Sequence, residues 1–386
     1  MIIVRVNAIR PPCWEEALVG PVRTPVVVLS SIDPVERDAV VLGLLVDSPR
    51  VVALRHDIHD DEDGGSLRRV VVDASGVVED ETVPLEHACL SCAVREDAVP
   101  TLARLAADGR WDAIVLALPV SAESLPVVRA LGWAMRPGEP LARLRLADAV
   151  ATVDLATFED DLLGDDLLVE RGHALTEDDR RAVGEALAAQ VAHADLVLVT
   201  GDRRDHPVAS DLLDHVRAAD GRRQDGRYGA ALADLVAHEH RPATAERRLD
   251  PAHVRPVPGA PTEHGVWSLD LRTPRPFHPE RLLHGVHRLG DGRLRSRGRF
   301  WVPSRPDTLC VWDGAGGQLS IGAAGPWGTR LPDTRVVVVG TGDEAPALQD
   351  AFEDLVLSAA EMRAGLAPWL GRPDVLAPWL GERTSA

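Results

Sequence analysis

The sequence predicts an α/β protein: a mainly parallel β-sheet with helices on both faces, followed by a smaller α+β domain. Continuous apolar runs such as Val26–Leu29 and Ala113–Leu118 are typical of strands that are buried on both faces. Between the runs lie stretches of helical periodicity such as Val35–Leu45, and strands that alternate with helices form parallel sheets. After residue 265 strand candidates follow one another with few helices between them, which indicates the α+β domain.

The elements divide the chain into five predicted segments. An extension (1–23) precedes the first domain (24–205), and a region of weak pattern (206–264) with Arg-, Gly- and Pro-rich stretches is predicted to be variable loop and linker. The second domain (265–360) is followed by a tail (361–386). The further strand candidates are Val51–Leu54, Val70–Val72, Ala149–Val153, Leu196–Val199, 266–271, 298–302, 308–313 and 336–340, and the further helices are 97–107, 124–131, 177–193, one after Pro279, and 345–357.

The tail carries the sequence Leu-Ala-Pro-Trp-Leu-Gly twice, at 366–371 and 376–381. Each tryptophan has a large apolar face that is costly to leave in water. We therefore expect Trp369 and Trp379 to fold back onto the protein, since two exposed tryptophans in one tail would favour aggregation. A free tail that binds a partner is the alternative.

The composition is that of a folded, acidic protein. The 386 residues include 42 basic and 60 acidic side chains, a net charge of −18, and 45% are hydrophobic. No apolar run approaches the roughly 18 residues of a membrane-spanning helix, and the start, MIIVRVNAIRPPCWEE, lacks the basic-then-apolar order of a secretory signal. We therefore expect a cytoplasmic protein with no membrane partner. Its acidity argues against general nucleic-acid binding.

The segment LSSIDPVERDAVVLGLL lies where an α/β nucleotide-binding protein keeps its phosphate-binding loop. Such a loop needs glycines, a lysine for the phosphate oxygens, and a Ser or Thr for Mg²⁺. Here no glycine occurs before Gly43, and all 42 basic residues of the chain are arginine. Asp33, Pro34 and Glu36 instead fit the N-cap, first and third positions of a helix. A phosphate would have to compete with two carboxylates at the positive end of that helix.

Cys89, Cys92 and His87, in the sequence HACLSC, are the candidate metal ligands. Two thiols three residues apart at a helix start can chelate one Zn²⁺, and His87 is the nearest further ligand. Two free, partly buried thiols are one alternative. A redox pair is another, although the Trp-Cys-x-x-Cys context of thioredoxin-like proteins is absent.

The stretch RHDIHDDED (55–63) places His56 and His59 among five carboxylates. It is predicted to be a solvated acidic loop, with Zn²⁺ binding as the alternative. His278, in PFHP, is predicted to be a structural residue of a strand-to-helix turn.

Several longer strings resemble the CobW family of metal-handling P-loop GTPases. HACLSCAVREDAVPTLARLAADGRWDAIVLALP is similar to that family's Gly-Cys-x-Cys-Cys motif, which is followed by R-x-D-L and a helix. PVVVLSSIDPVERDAVVLGLL aligns with its P-loop segment. LRTPRPFHPERLLHGV, RSRGRFWVPSRPDTLCVWDGAGGQLSI and AAGPW resemble the CobW C-terminal domain. The resemblance covers about residues 24–358 and implies a P-loop-NTPase-like first domain.

The sequence departs from the family at each nucleotide motif. Ser31 and Glu36 replace P-loop glycines, Arg37 stands at the lysine and Asp38 at the Mg²⁺-binding threonine. We therefore expect no catalytic residues, no GTP or Mg²⁺ as cofactor and no GTP hydrolysis, with Zn²⁺ as the expected metal. The other departures are Ser91 at the middle cysteine, Ala117, Pro119 and Val120 at the Walker B strand, and Thr200-Gly201-Asp202-Arg203 at the guanine-specificity motif.

These losses, with a retained Cys-x-Ser-Cys, resemble an actinobacterial subgroup of CobW-like proteins, the ribosome hibernation factor-recruiting proteins. The resemblance implies a pseudo-GTPase that acts as a zinc-linked adaptor or regulator and recruits a hibernation factor to the ribosome when zinc is scarce. The alternatives are a zinc metallochaperone that still binds and hydrolyses GTP, and a pathway-specific accessory protein with no metal role. Candidate contacts to rRNA or protein, unless they are outward arginines of an ordinary strand, are Arg293, Arg295, Arg297 and Arg299.

Overall fold

The computed structural model describes residues 23–60, 65–226, 231–369 and 371–382. These residues form two β-sheets, each with helices packed against it. The predicted extension (1–23) lies outside the described residues except for Arg23, as do the last four residues of the tail.

The first sheet has eight strands in the order β4-β3-β2-β5-β1-β6-β7-β8. Six of them, from β2 to β8 in that order, run parallel, and the hairpin of β3 and β4 is added antiparallel at one edge. The mainly parallel sheet is thereby confirmed. The strands are Thr24–Ser30 (β1), Val51–His59 (β2), Ser66–Asp73 (β3), Gly76–Pro84 (β4), Ala113–Ala117 (β5), Leu144–Asp154 (β6), Leu196–Thr200 (β7) and Arg222–Asp225 (β8).

Helices cover both faces of this sheet. Successive side chains of a strand point to opposite faces, so Val26 and Val28 of β1 join the core beneath α3 and α4, whereas Val27 and Leu29 join the core beneath α1. The helices around this sheet include Pro34–Asp47 (α1), Leu90–Ala93 (α2), Val99–Asp108 (α3), Ser124–Ala134 (α4), Phe158–Leu163 (α5), Val183–His193 (α6), Pro207–Val216 (α7), Leu232–Val236 (α8) and Pro242–Leu249 (α9), with a π-helical turn at Val94–Ala98 and a 3-10 turn at Pro251–His253.

The region 206–264 is more regular than its sequence predicts. It contains α7, β8, α8 and α9, and β8 completes the edge of the first sheet. The prediction of loop and linker is therefore wrong for these elements. In β8 the sequence Arg-Arg-Gln-Asp carries no apolar signal; its two arginines form ion pairs with Asp148 of β6 and Asp214 of α7.

The second sheet is antiparallel throughout, in the order β12-β11-β10-β13-β9. Its core includes a cluster of rings formed by Phe277, Phe300, Trp312 and Phe352. The elements are Trp267–Thr273 (β9), Leu294–Val302 (β10), Arg305–Ala315 (β11), Gln318–Pro326 (β12), Thr334–Gly340 (β13), Pro279–Gly285 (α10), His287–Gly290 (α11), Ala345–Leu355 (α12), Ala359–Ala364 (α13) and Ala377–Leu380 (α14).

The described part of the tail folds back onto the second sheet, as predicted. Leu376 and Leu380 are buried in its core, and Arg305 donates to the Leu380 carbonyl oxygen at 3.0 Å. The ring of Trp369 lies edge-on to His278 at 4.7 Å, whereas Trp379 remains 41% exposed. Leucines, more than the second tryptophan, therefore anchor the tail. No helix in the ranges described is both long and apolar enough to cross a membrane.

Candidate functional site

The turn between β1 and α1 is closed by its own side chains. Asp33 is the N-cap of α1, and its Oδ1 accepts hydrogen bonds from the backbone N–H groups of Val35 at 2.6 Å and Glu36 at 3.3 Å. The Ser31 hydroxyl donates to the Asp33 carbonyl oxygen at 2.8 Å. The predicted N-cap is confirmed. The N–H groups that would hold a phosphate at a helix start are therefore engaged by a carboxylate.

Glu36 fills the space beneath this turn. Its carboxylate is buried and accepts a hydrogen bond from the Thr200 hydroxyl at the end of β7, at 3.2 Å. The cavity that remains between Asp33, Glu36 and Asp154 has a volume of only about 20 Å³. That is room for about one water molecule, so a phosphate group has no place between α1 and β6 in this conformation.

Arg37 points away from the turn. Its buried guanidinium donates from Nη1 to Asp57 Oδ1 at 2.7 Å and to the Leu118 carbonyl oxygen at 2.9 Å, and from Nε to Asp38 Oδ1 at 3.1 Å. Asp38 also accepts from Arg55 at 2.9 Å. The residues at the lysine and threonine positions of a P-loop therefore form an ion-pair network that ties α1 to the ends of β2 and β5.

The stretch predicted to be an acidic loop begins as a strand. Residues 55–59 belong to β2, where His56 pairs with Arg69 and Asp57 with Arg68 of β3. The opposite charges of Asp57 and Arg68 stabilise this pairing. The prediction of a loop is therefore wrong for residues 55–59, and residues 61–64 lie outside the described part. His56 is buried, whereas His59 is exposed at the end of the strand. The structure does not bring the two histidines together.

The two cysteines lie within one helical turn at the start of α2. Cys89 Sγ accepts a hydrogen bond from the backbone N–H of Cys92 at 3.3 Å, and Arg95 Nη2 lies 3.7 Å from Cys92 Sγ. Cys92 is buried and Cys89 half-buried. The hydrogen bond with the Cys89 side chain, together with burial, raises the pKa of the Cys92 thiol above the usual thiol value.

The third predicted ligand stands apart from the two thiols. His87 is exposed on the bend before α2, and its backbone carbonyl accepts from the Cys89 N–H at 2.7 Å. In the described ranges no group of three or more His, Cys, Asp or Glu side chains is arranged to hold a metal ion. Among the described residues the site therefore consists of two neighbouring thiols, one buried and one half-buried.

Two contacts hold the cysteine turn on the sheet, and sequence reasoning missed both. In the π-helical turn, Asp97 accepts from His56 Nε2 at 2.8 Å and from Arg69 Nη1 at 2.6 Å. Burial alone would raise the pKa of Asp97, but these hydrogen bonds outweigh burial and lower the pKa. Ala88 packs directly against Gly65, whose φ of +125° and lack of a side chain allow the approach. The R-x-D motif, Arg95 to Asp97, is the sequence feature that could have indicated the contact of Asp97 with β2 and β3.

The four arginines predicted to contact rRNA or protein are held within the chain. Arg295 pairs with Asp313, Arg297 donates to backbone carbonyls of 248 and 249, and Arg299 binds the Asp333 carboxylate through two hydrogen bonds of 2.6 and 2.7 Å. Arg293 is half-exposed and pairs with Asp160. Because β10 lies between β11 and β13 and is covered by the chain after α9, three of these side chains do not face solvent as a contact surface would.

Comparison with known proteins identifies the two parts of the chain. Residues 63–219 match the CobW/HypB/UreG nucleotide-binding domain, and residues 266–356 match the cobalamin synthesis protein CobW C-terminal domain. These matches identify a CobW/HypB/UreG-type nucleotide-binding domain in the first part of the chain and a CobW C-terminal domain in the second. The family resemblance and the fold class predicted from the sequence are confirmed at this level.

Two relatives are described by their roles. A zinc chaperone of Mycobacterium tuberculosis is 29% identical over 333 residues, which cover 82% of this chain and 77% of the relative. The zinc-regulated GTPase metalloprotein activator 1 of Dictyostelium discoideum is 24% identical over 264 residues, 64% of this chain and 54% of the relative. The crystal structure of the Zn(II)-bound YjiA GTPase from E. coli covers 86% of this chain at 14% identity, with a TM-score of 0.34.

The comparisons support some of the predictions made from the sequence and leave others without support. The matched first domain is a nucleotide-binding domain, so the comparisons do not support the expectation that GTP and Mg²⁺ are absent. That expectation rests on the geometry of the β1–α1 turn. The hibernation-factor subgroup and the ribosomal partner stay predictions.

Proposed function

We propose that the protein is a zinc metallochaperone that carries Zn²⁺ as cargo on Cys89 and Cys92. The observation that carries this proposal is the pair of neighbouring thiols at the start of α2, of which Cys89 is partly accessible. Zn²⁺ normally takes four ligands. Two thiolates leave positions for His87, for water, or for the ligands of a receiving protein, which is the arrangement that transfer requires. The description of the mycobacterial relative as a zinc chaperone supports the same role.

The chemistry of the pair makes zinc binding depend on pH. Zinc binds thiolates, so binding displaces protons from both cysteines. The raised pKa of Cys92 acts in the same direction, because it keeps that thiol protonated to a higher pH. Zinc affinity should therefore increase as pH rises and fall as pH drops. A weakly held, exchangeable ion suits a carrier better than a permanent structural site.

Transfer in this proposal does not depend on GTP hydrolysis. The alternative predicted from the sequence, a metallochaperone that hydrolyses GTP, shares the zinc role and differs only in the nucleotide step. The carboxylate of Asp33 at the start of α1 and the inward-facing Arg37 favour the version without that step. No contact in the described residues favours the ribosomal adaptor, so it is not a second candidate.

Zinc content and zinc affinity test the proposal. The purified full-length protein is loaded with Zn²⁺, dialysed and analysed for metal, and its affinity is measured by competition with a chromophoric chelator. We expect one Zn²⁺ per chain in the wild type, and loss of that ion in the Cys89→Ser/Cys92→Ser double variant. Cys310→Ala is the matched control, because this thiol is buried in the second sheet and burial raises its pKa to about 12.

Two results would refute the proposal. The first is equal zinc content in the wild type and the double cysteine variant, which would move attention to the exposed His59. The second is a wild type that retains no zinc at any pH between 6 and 9, the range over which a thiol site should strengthen. Melting temperatures of all variants show whether a loss of zinc merely reflects unfolding.

A further inference from the structure

An arginine-rich cleft lies between α9 and the second sheet, far from the cysteine turn. We define the arginine cleft by the seven arginines that line it, together with only two carboxylates, Asp220 and Asp333. The chain as a whole has 60 acidic against 42 basic residues, so this concentration of positive charge is opposite in sign to the protein around it. The arginines are Arg247, Arg248, Arg255, Arg272, Arg299, Arg330 and Arg335.

The cleft divides into tethered and free guanidinium groups. Arg248 is paired with Asp195 and Asp220, and Arg335 with Asp270. Asp333 serves two arginines, since it accepts two hydrogen bonds from Arg299 and also lies 3.3 Å from Arg272. These ion pairs fix the rear wall of the cleft.

The arginines at the rim of the cleft have no carboxylate partner among the described residues. Within the ranges described, Arg247 and Arg255 make no ion pair or side-chain hydrogen bond. Arg330 makes no ion pair there, and its Nη2 forms one hydrogen bond with His253 Nε2 at 3.2 Å. All three are exposed. Three unpaired guanidinium groups beside a wall of tethered ones produce a strongly positive local potential, which attracts anions.

We propose that the arginine cleft binds a small, multiply phosphorylated molecule. Arginine presents a rigid, planar set of donors that matches phosphate oxygens, and several phosphates are needed to engage several arginines at once. The cleft has a volume of about 970 Å³, which lies at the upper end of the range for small-molecule sites. This proposal is independent of the zinc role.

The lining favours a small anion over RNA. Single-stranded RNA is recognised largely by stacking of its bases on aromatic rings. None of the residues that line the cleft is Phe, Tyr or Trp. A positively charged lining without aromatic rings favours binding of phosphate groups over the aromatic stacking of bases.

Titration with tripolyphosphate tests the proposal. Metal-free, full-length protein is used without Mg²⁺, because the probe chelates metals, and binding is followed by isothermal titration calorimetry. We expect one tripolyphosphate per chain, much weaker binding of orthophosphate, and affinity that falls steeply with added salt. ATP and GTP are titrated in parallel; affinity equal to that of tripolyphosphate indicates that phosphates alone are recognised, and tighter binding indicates a nucleoside polyphosphate.

The decisive variant removes only the free charges of the rim. Arg247→Ala/Arg255→Ala/Arg330→Ala breaks no ion pair between described residues, so it should keep the wild-type melting temperature. We expect it to weaken tripolyphosphate binding at least about tenfold. Arg143→Ala is the control, since Arg143 is also exposed and makes no side-chain ion pair but lies outside the cleft. It should bind like the wild type.

Three results would overturn the proposal. They are absence of tripolyphosphate binding to the wild type, equal affinity in the wild type and the triple variant, and tighter binding of a short single-stranded RNA through the same three arginines. The last result would indicate an RNA surface in place of a small-molecule site. Because the protein is free of zinc throughout, none of these outcomes depends on whether it carries that metal.

Discussion

Arg37 shows how a single side chain changes the use of a phosphate-loop position. A lysine ammonium is a compact point charge, whereas a guanidinium has a planar set of donors that can reach several acceptors. Here those acceptors are Asp57, Asp38 and the Leu118 carbonyl oxygen, all on the protein itself. Arg37 is therefore a structural cation that joins α1 to β2 and β5.

We expect the protein not to hydrolyse GTP. The N–H groups at the start of α1 are bonded to Asp33, and Glu36 occupies the space beneath them, so the γ-phosphate and Mg²⁺ have no binding groups there. Phosphate release from GTP and Mg²⁺ should equal the rate in buffer alone. GTP held by its phosphates in the arginine cleft would not alter this result, since that cleft lies outside the β1–α1 turn.

Partial restoration of the motif is the control for this prediction. Glu36→Gly/Arg37→Lys returns two residues of the P-loop pattern, but Asp33 still caps α1 and the turn keeps its length. We expect this variant to remain inactive. Magnesium-dependent phosphate release in the wild type that disappears in Asp38→Asn would contradict the prediction, because Asp38 stands at the position of the family's Mg²⁺ ligand.

Some residue contacts follow from sequence and others do not. The N-cap role of Asp33 is local, since it depends on residues two and three positions away, and it was predicted. The bond between Glu36 and Thr200 joins residues 164 positions apart, and no spacing rule predicts such a pair. The same holds for Asp97 with His56, because which carboxylate meets which histidine depends on the packing of α2 against β2.

At the scale of elements, the cysteine turn depends on the π-helical turn that follows it. Asp97 on that turn is buried and bonded to His56 and Arg69 of the neighbouring strands. α2 continues without a break through the π-helical turn into α3, so the contacts of Asp97 act on the same continuous helix whose first turn carries the cysteines. The Asp97 contacts therefore set the position of Cys89 and Cys92 on the sheet.

Asp97→Asn should destabilise the protein and weaken zinc binding together. Removing one charge from a buried, hydrogen-bonded pair costs about 3–5 kcal/mol, and the turn that presents the thiols loses its anchor. The pKa of Asp97 is lowered in the folded protein, so its stabilisation is present above about pH 4 and is lost as pH falls through the folded pKa. Thermal melting from pH 7 to pH 3 should show a flatter acid dependence in the variant.

Asp108→Asn is the matched control, because this carboxylate at the end of α3 makes an exposed ion pair with Arg110. Exposed pairs contribute about 0–1 kcal/mol, so its melting temperature and zinc affinity should stay near those of the wild type. If Asp97→Asn kept both properties unchanged, the anchoring role of the π-helical turn would be wrong.

The sequence predicted the strands that are buried and apolar, and it missed strands that are exposed at the edges of the sheets. β1, β5 and β7 are buried on both faces and consist of apolar residues throughout. β4 and β12 lie at sheet edges and are mostly exposed, so their polar residues carry no strand signal. The helix expected over 177–193 begins only at Val183, because a loop precedes it where Asp179 pairs with Arg181.

At the scale of the whole molecule, helices α5 and α6 of the first domain contact the second domain through backbone as well as side chains. Gly184, near the start of α6, lies against Gly316, in the turn between β11 and β12. A Cβ atom on Gly184 would lie 2.4 Å from the Leu162 carbonyl oxygen and 2.8 Å from the Gly316 nitrogen. Arg293, the residue before β10, reinforces this interface through its ion pair with Asp160 of α5.

Gly184→Ala should therefore lower the melting temperature markedly. Its methyl group meets backbone atoms on both sides, which cannot move aside as a flexible side chain would, so the cost should reach or exceed the roughly 1–3 kcal/mol of over-packing. Gly43→Ala is the matched control: Gly43 is also helical, in α1, and no atom lies within 4 Å of its added Cβ. That change should raise stability by about 0.5–1 kcal/mol, since alanine favours a helix interior. Opposite signs for the same substitution, measured by thermal melting, would establish that the contact between α6 and the β11–β12 turn is close-packed; a neutral Gly184→Ala would show that it is not.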